Sequence, residues 1–373
     1  MGVEPPGYAR PVQGSDLSPA AEAAISQTCP GKIAEPWLIE GAAHPYWGPW
    51  REICVGHAAD HSVRHAGSSG GALSALLIHA LTVGWIDRVL HVAADPDNPT
   101  QNLTVCSRTP AEVLAGSGSR YTASSPLAQI HAALDEGGLM AFVGKPCDVS
   151  ALRRLGKLDP RIERHIPLAL SFFCGGMPSH GGVERILDTL GVEASELVSF
   201  RYRGNGWPGK TVAMTKSGRV AEMSYAESWG GHLSKEVQFR CKICPDAVGG
   251  VADIACADAW YGGETGYPNF DERDGRSLIV ARTSAGLRLL ESSRAAGAIE
   301  TEPLDIAEID LMQPSQARRK RLVTARVAAL TVTGQAKPSM RGTMLREASA
   351  RASFGEAAKN FVGTLRRIVV GRR

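Results

Sequence analysis

Cys241-Lys242-Ile243-Cys244-Pro245 sets two thiols on one short turn and closes it with a proline. Two thiolates at this spacing can hold a single metal centre from one turn of chain. Eight cysteines are present, at 29, 54, 106, 147, 174, 241, 244 and 256. Iron–sulfur clusters prefer soft thiolates and typically take four. Structural zinc uses the same residue type in all-cysteine sites, and a C-x-x-C pair also serves as a redox couple or as plain buried thiols. Spacing alone leaves these readings open and leans toward the cluster. A proline directly after a ligand cysteine occurs in ferredoxin-type runs, and its fixed φ stiffens the loop. Cys54 and Cys106, each isolated, read as small buried hydrophobes.

The elements around two further thiols share one plan. The apolar run 139–143 leads straight into Gly144-Lys145-Pro146-Cys147, and a helical stretch over 149–155 follows. The apolar run 166–173 leads into Cys174-Gly175-Gly176, followed by a helical stretch over 183–190. Repeated strand–loop–helix order implies parallel strands joined by crossovers. Ligands of such sheets gather at the carboxyl ends of strands, so Cys147 and Cys174 are candidates to be neighbours. A helix is expected over 72–81, after Ser68-Ser69-Gly70-Gly71, and a strand over 89–94. Helices are also expected from Pro110 and over 126–134. Residues 197–280 read as β-rich, 286–295 as helical, and the chain after Pro314 as basic amphipathic helices. The fold class is therefore α/β: a mixed, largely parallel sheet with helical crossovers, a β-rich insertion and basic C-terminal helices.

Composition sets the limits. The chain has 373 residues, 43% hydrophobic and 21% charged, enough for a packed core and against global disorder. The most apolar stretch, 70–86, contains His79 and three glycines and reads as a buried helix rather than a membrane span. The first 25 residues lack the basic-then-apolar order of a signal peptide, so a cytoplasmic location is expected, with thiols reduced rather than paired. Net charge is +3, but it is unevenly spread: residues 310–373 hold 14 Lys/Arg against three Asp/Glu, leaving an acidic body and a basic tail.

Seven motifs in order identify a resemblance. They are Ser68-Ser69-Gly70-Gly71, Gly118-Ser119-Arg120-Tyr121, Phe142-Val143-Gly144-Lys145-Pro146-Cys147-Asp148 and the run from Ser171 through Cys174-Gly175-Gly176 to Ser179. Phe200-Arg201-Tyr202-Arg203-Gly204-Asn205-Gly206-Trp207-Pro208-Gly209, Phe239 to Asp246, and Ala252 to Trp260 complete the set. Over about residues 50–295 the chain resembles the coenzyme F420 hydrogenase/dehydrogenase beta-subunit family. The resemblance implies an oxidoreductase with FAD and a 4Fe–4S cluster. It would move electrons between the cluster and a hydride-type substrate, which in archaeal relatives is coenzyme F420; other relatives reduce tetrapyrroles. The implied domains are an irregular lead-in over 1–49 (a degenerate ferredoxin-like region) and an FAD-binding part over 50–135. An iron–sulfur and flavin domain over 136–309 and a basic helical tail over 310–373 follow. Many relatives open with a ferredoxin-like run of cysteines. Here only Cys29-Pro30 stands near that position, so one cluster is expected and the electron donor is left open. Ala257 replaces a glycine common in relatives, and Cys256 is an extra thiol.

On this resemblance Cys147, Cys174, Cys241 and Cys244 are the cluster ligands, against a closed zinc site or core packing. Ser68, Ser69, Gly70 and Gly71 are assigned to the FAD pyrophosphate, because a helix N-terminus offers free N–H groups and glycine permits close approach; a simple cap with tight packing is the competing reading. Ser119, Arg120 and Tyr121 are assigned to the flavin or its phosphates. Lys145 is a candidate catalytic cation beside a reduced flavin or cluster. Arg203, with Arg201 and Trp207, forms a patch for an anionic or planar substrate. Asp258, near Trp260, is a candidate partner for a cofactor ribose or ring nitrogen. His79 reads as a satisfied core or surface histidine. The basic tail reads first as a solvated helical surface, then as a dock for a redox partner such as a ferredoxin or another subunit, then as a peripheral membrane contact. No nucleic-acid motif accompanies its charge. The competing functional class is a non-catalytic electron-transfer or zinc-stabilised accessory protein, including one linked to polysaccharide synthesis.

Overall fold

Strand and helix follow from the apolar patterning almost throughout. The computed structural model describes residues 2–4, 7–262 and 267–371. The lead-in is less irregular than expected. It contains α1 (Pro19–Thr28), opened by the Ser18 hydroxyl, which accepts the Ala21 N–H at 3.2 Å. Next comes β1 (Glu52–Ala58), then α2 (Ala72–Thr82), which begins after Gly71 at φ +68° and buries Ala72, Ala75, Leu76, Leu77, His79 and Ala80. Strands β2 (Arg88–Ala94) and β3 (Asn102–Ser107) form an antiparallel hairpin pair. The two cysteine-bearing units follow: β4 (Met140–Val143) into α3 (Pro146–Gly156), and β5 (Leu168–Phe172) into α4 (His180–Leu190). The expected β-rich insertion is a three-stranded antiparallel sheet of β6 (Leu197–Arg201), β7 (Thr211–Thr215) and β8 (Val220–Met223). The chain then re-enters the main sheet with β9 (Ile254–Asp258) and β10 (Ser277–Ala281), passes through α5 (Ser284–Ala295), and adds β11 (Ile299–Pro303).

The main sheet has eight strands in the order β11-β1-β10-β9-β5-β4-β2-β3. Its centre is parallel: β9 pairs with β5, β5 with β4 and β4 with β2, with Ile254 opposite Leu170 and Ala141 opposite Leu168. The flanking pairs are antiparallel. The sheet is thus mixed, and its parallel block is the part that carries the thiols. One sheet takes strands from both sides of residue 135. Every residue of β4 and β10 is buried, as expected of strands covered on both faces. One face packs on α2 and α5 through Leu76, Leu77, Ile279 and Leu289; the other packs on α3 through Phe142, Val149 and Leu152. Each such side chain contributes about 1.5–3 kcal/mol on burial. His79 is buried and meets the Ser292 hydroxyl at 2.8 Å, a satisfied core histidine.

The basic tail is not a detached surface. It contains α6 (Pro314–Arg321), α7 (Val323–Val332) and α8 (Phe354–Val369). Ile309, Met312, Ala317 and Ala348 join Trp37, Trp47, Leu278 and Val280 in one apolar cluster against the sheet. Among the described residues no helix is long and apolar enough to cross a membrane.

Candidate functional site

The strand-end rule brings the thiols together. Cys147 lies in the first turn of α3, directly after β4; Cys174 follows β5 by one residue. The segment 174–178 lies along 237–241: Gln238 N–H donates to the Met177 carbonyl at 3.0 Å, and Pro178 bridges Val237. This places the Met177 N–H 3.4 Å from the Cys241 sulfur, while the Gly176 N–H lies 3.4 Å from the Cys174 sulfur. Cys174 N–H donates to the Ala247 carbonyl at 2.8 Å, closing the loop that carries Cys244. Cys147 is within electrostatic reach of Cys174 and Cys244, and Cys174 of Cys241 and Cys244. Burial pushes the Cys174 thiol up to about 12 and raises Cys147 and Cys244 as well. The pocket thus holds these groups as neutral thiols until a cation displaces their protons.

These residues fit a thiolate-bound cluster. The donor set is all sulfur, two backbone N–H groups face the sulfurs, and Lys145 and Arg319 supply positive charge nearby. Among the described residues, no three His, Cys, Asp or Glu side chains are gathered to hold a single metal ion. Of the remaining cysteines, Cys256 also reaches the cavity wall. Cys54 and Cys256 lie in the sheet core on either side of Ile279, and Cys29 is exposed at the end of α1.

Cys174 also forms part of the wall of a cavity of about 1120 Å³. That is just above the ordinary range for ligand sites, about 300–1,000 Å³, room enough for a dinucleotide. Ser68, Ser69, Gly71, Ser119, Arg120, Tyr121, Lys145, Arg203 and Asp258 all line it. The first turn of α2 has no side-chain cap, and a Cβ on Gly71 would meet the Val63 carbonyl oxygen at 2.4 Å. That uncapped turn on a cradle of small residues fits a pyrophosphate.

Several expected site residues have structural partners instead of open faces. Gly70 is not on the cavity wall: its N–H donates to the Ser277 hydroxyl at 2.9 Å, and a Cβ there would press on the Gly56 carbonyl. The tight-packing reading holds at this glycine. The Ser69 and Ser277 hydroxyls are 2.9 Å apart, and Ser68 accepts the Ser119 N–H at 2.5 Å. Arg120 does not offer a free fork to phosphate. Its guanidinium donates to Asn102 Oδ1 and to the carbonyls of Pro99, Gln101 and Phe200 at 2.6–2.9 Å, and it stacks on Tyr202. Tyr121 packs against Trp229 and Tyr202.

Arg203 and Asp258, both on the cavity wall, form an ion pair with each other. Arg203 donates two bonds to Asp258 at 2.7 and 2.8 Å and one to the Pro208 carbonyl, and its side chain is only 2% exposed. Tyr225 and Trp260 lie over its guanidinium at 4.5 and 5.0 Å. Burial works against this cation, and Asp258 more than restores it. Trp207 is buried, stacked on Trp260, with its Nε1–H donating to Asp258 at 3.2 Å. Arg201 donates to the carbonyls of Ala66 and Ser117.

Lys145 does face the cavity. Its ammonium donates to Asp148 Oδ2 at 2.6 Å and to Ser124 Oγ at 2.7 Å. Burial alone would lower it, yet Asp148, with help from Cys147 and Cys174, holds it above the usual lysine value. Asp148, in the same motif as Lys145 and Cys147, also lines the cavity. Sequence alone missed the tail residues. Gln316 and Arg319 donate to the Cys174 carbonyl at 2.9 Å each, Arg326 donates to the Lys242 carbonyl at 2.6 Å, and Lys320 donates to the Pro245 and Thr343 carbonyls. The tail therefore braces both cysteine loops.

With that geometry in place, comparison decides the family. Residues 53–131 match the N-terminal region, and 138–307 the C-terminal region, of the coenzyme F420 hydrogenase/dehydrogenase beta subunit. The chain belongs to this beta-subunit family. The coenzyme F420 hydrogenase subunit beta of Methanococcus voltae is 28% identical over 282 residues, covering 74% of this chain and 92% of that one. Its counterpart from Methanosarcina barkeri is 26% identical, covering 70% and 84%. The chloroplastic 7-hydroxymethyl chlorophyll a reductase of Oryza sativa subsp. japonica is 24% identical over 62% of this chain and 47% of its own length. A chain of the xenon-derivatized F420-reducing NiFe hydrogenase complex of Methanosarcina barkeri shares the fold. It has a TM-score of 0.63 at 22% identity, over 80% of this chain and 98% of that one. Members of the beta-subunit family are oxidoreductase subunits, and the chain is an oxidoreductase of that class. Helices α6 to α8 lie beyond both matched regions.

Proposed function

We propose that the chain is the flavin- and cluster-bearing subunit of a redox enzyme. In this reading FAD occupies the cavity, Cys147, Cys174, Cys241 and Cys244 hold a 4Fe–4S cluster, and a hydride-type substrate of the coenzyme F420 kind reacts at the flavin. The observation that supports it is that Cys174 stands on the wall of a cavity of about 1120 Å³ while its loop is hydrogen-bonded to the segments that carry Cys241 and Cys244. Relatives that are subunits of coenzyme F420 hydrogenases support the same reading. When bound, a flavin supplies the exchange between two-electron hydride transfer and the single electrons of a cluster.

The chain's own residues then have definite tasks. The uncapped first turn of α2 offers its N–H groups to the pyrophosphate. Lys145 keeps a positive charge at the wall, oriented by Asp148 and Ser124, where negative charge would develop. Arg203, paired with Asp258, fixes the aromatic wall of Tyr225 and Trp260. Cys147, Cys174 and Cys244 are partly buried, desolvation raises their thiols, and loading the site would release their protons. The protein partner is another redox subunit or a small electron carrier. Anaerobic mixing with reduced coenzyme F420 tests the reading. Bleaching of bound-flavin absorbance supports it, and a protein that binds no flavin refutes it.

A further inference from the structure

The same cavity has a second chemical character along its rim. Lys242, Arg318, Arg319, Arg326, Lys359 and Arg367 line it, drawn from the C-x-x-C loop, α6, α7 and α8. Arg318 shares Glu356 with Arg321, and Arg319 and Arg326 bond backbone carbonyls. Among the described residues, no carboxylate pairs with Lys242, Arg326, Lys359 or Arg367. Burial, then repulsion from Arg319, Arg318 and Arg367, pulls the Arg326 guanidinium down to about 10, with Glu356 opposing. The cations are held together at a cost. Like charges lining a cleft focus a field that draws counter-charge inward.

We propose that this rim is a binding site for the multiply anionic part of a ligand, one bearing phosphates or several carboxylates. Two observations favour a small anion over an acidic protein face. The cations converge from four segments onto one cleft, and three of them, Lys242, Arg319 and Arg326, are partly buried in it. All but Lys242 lie beyond residue 307, outside the matched family regions, so the site belongs to this chain's own C-terminal helices. It stands independently of the flavin and cluster assignments.

The test uses the full-length protein with its resident cofactors, titrated calorimetrically at low salt with inorganic pyrophosphate and, separately, with tricarballylate. Lys359→Gln/Arg367→Gln removes two exposed, carboxylate-free rim cations. Arg341→Gln/Arg366→Gln removes the same charge from exposed positions off the cavity. The rim variant is expected to bind at least about tenfold more weakly, the scale of one lost charged contact. The control removes the same net charge without taking any group from the cavity wall, so it should weaken binding clearly less than the rim variant does. Unchanged melting of both variants keeps the comparison valid. Tighter pyrophosphate binding assigns a phosphate ligand, and tighter tricarballylate binding a polycarboxylate. Failure of both anions to bind, equal weakening by both variants, or binding of an acidic protein without either small anion overturns the proposal.

Discussion

Replacing Asp258 with alanine strips a buried cation of its counter-ion. Arg203 would lose both bonds of its fork, at 2.7 and 2.8 Å, and Trp207 would lose the acceptor of its Nε1–H. The Pro208 carbonyl and the faces of Tyr225 and Trp260 would remain, but none carries a full negative charge. With the guanidinium side chain 2% exposed, water cannot replace what is lost. Removing one member of such a pair costs about 3–5 kcal/mol. At about 2.1 cal/mol/K per residue, unfolding a chain of this size carries an entropy of roughly 0.8 kcal/mol/K, so about 4 kcal/mol lowers Tm by about 5 °C. Differential scanning calorimetry reads this directly. The double variant Arg203→Met/Asp258→Leu removes both charges together and should recover most of the loss, since apolar replacement of a buried pair is often neutral. A melting point for Asp258→Ala within about 1 °C of the parent would refute the assignment of this pair as the brace of the aromatic wall.

Other outcomes follow from the same coordinates. Cys241→Ser should abolish the visible iron–sulfur absorbance and most bound iron; unchanged iron and spectrum would remove Cys241 from the ligand set. Gly71→Ala forces a side chain into φ +68° and against the Val63 carbonyl. It should cost about 1–2 kcal/mol or more and lower flavin content, whereas full flavin retention would detach the α2 turn from cofactor binding. Glu356, held below the usual carboxylate range by hydrogen bonds from Arg321 and then by its charge, ties α8 to α6. Because its folded pKa is the lower one, its stabilisation is complete above about 4.5 and fades as pH falls below that. Hydrogen exchange in α8 should therefore quicken in acid, and Glu356→Gln should quicken it at neutral pH; an α8 indifferent to both would contradict the tie.

The main sheet was readable because its centre is buried on both faces. Runs such as Met140–Val143 and Leu168–Phe172 had no polar residue to blur them beyond Ser171. Cys147 and Cys174 were legible as neighbours because parallel crossovers send every following loop to the same sheet edge. Local sequence did not say which charges were already spent. Arg120, Arg203 and Asp258 look like free ligand-binding groups along the chain, and only long-range packing shows their partners, 18 to 80 residues away. The tail was misread for a related reason. Its arginines alternate with apolar residues as on any amphipathic surface, yet Arg319 and Arg326 point at backbone carbonyls more than 80 residues upstream.

The central claim is that four distant cysteines share one inorganic centre beside a bound flavin. Metal, sulfide and flavin analysis of the anaerobically purified full-length protein tests it most directly. The account predicts about four irons, about four sulfides and one FAD per chain. A colourless protein carrying a single zinc and no flavin would contradict it.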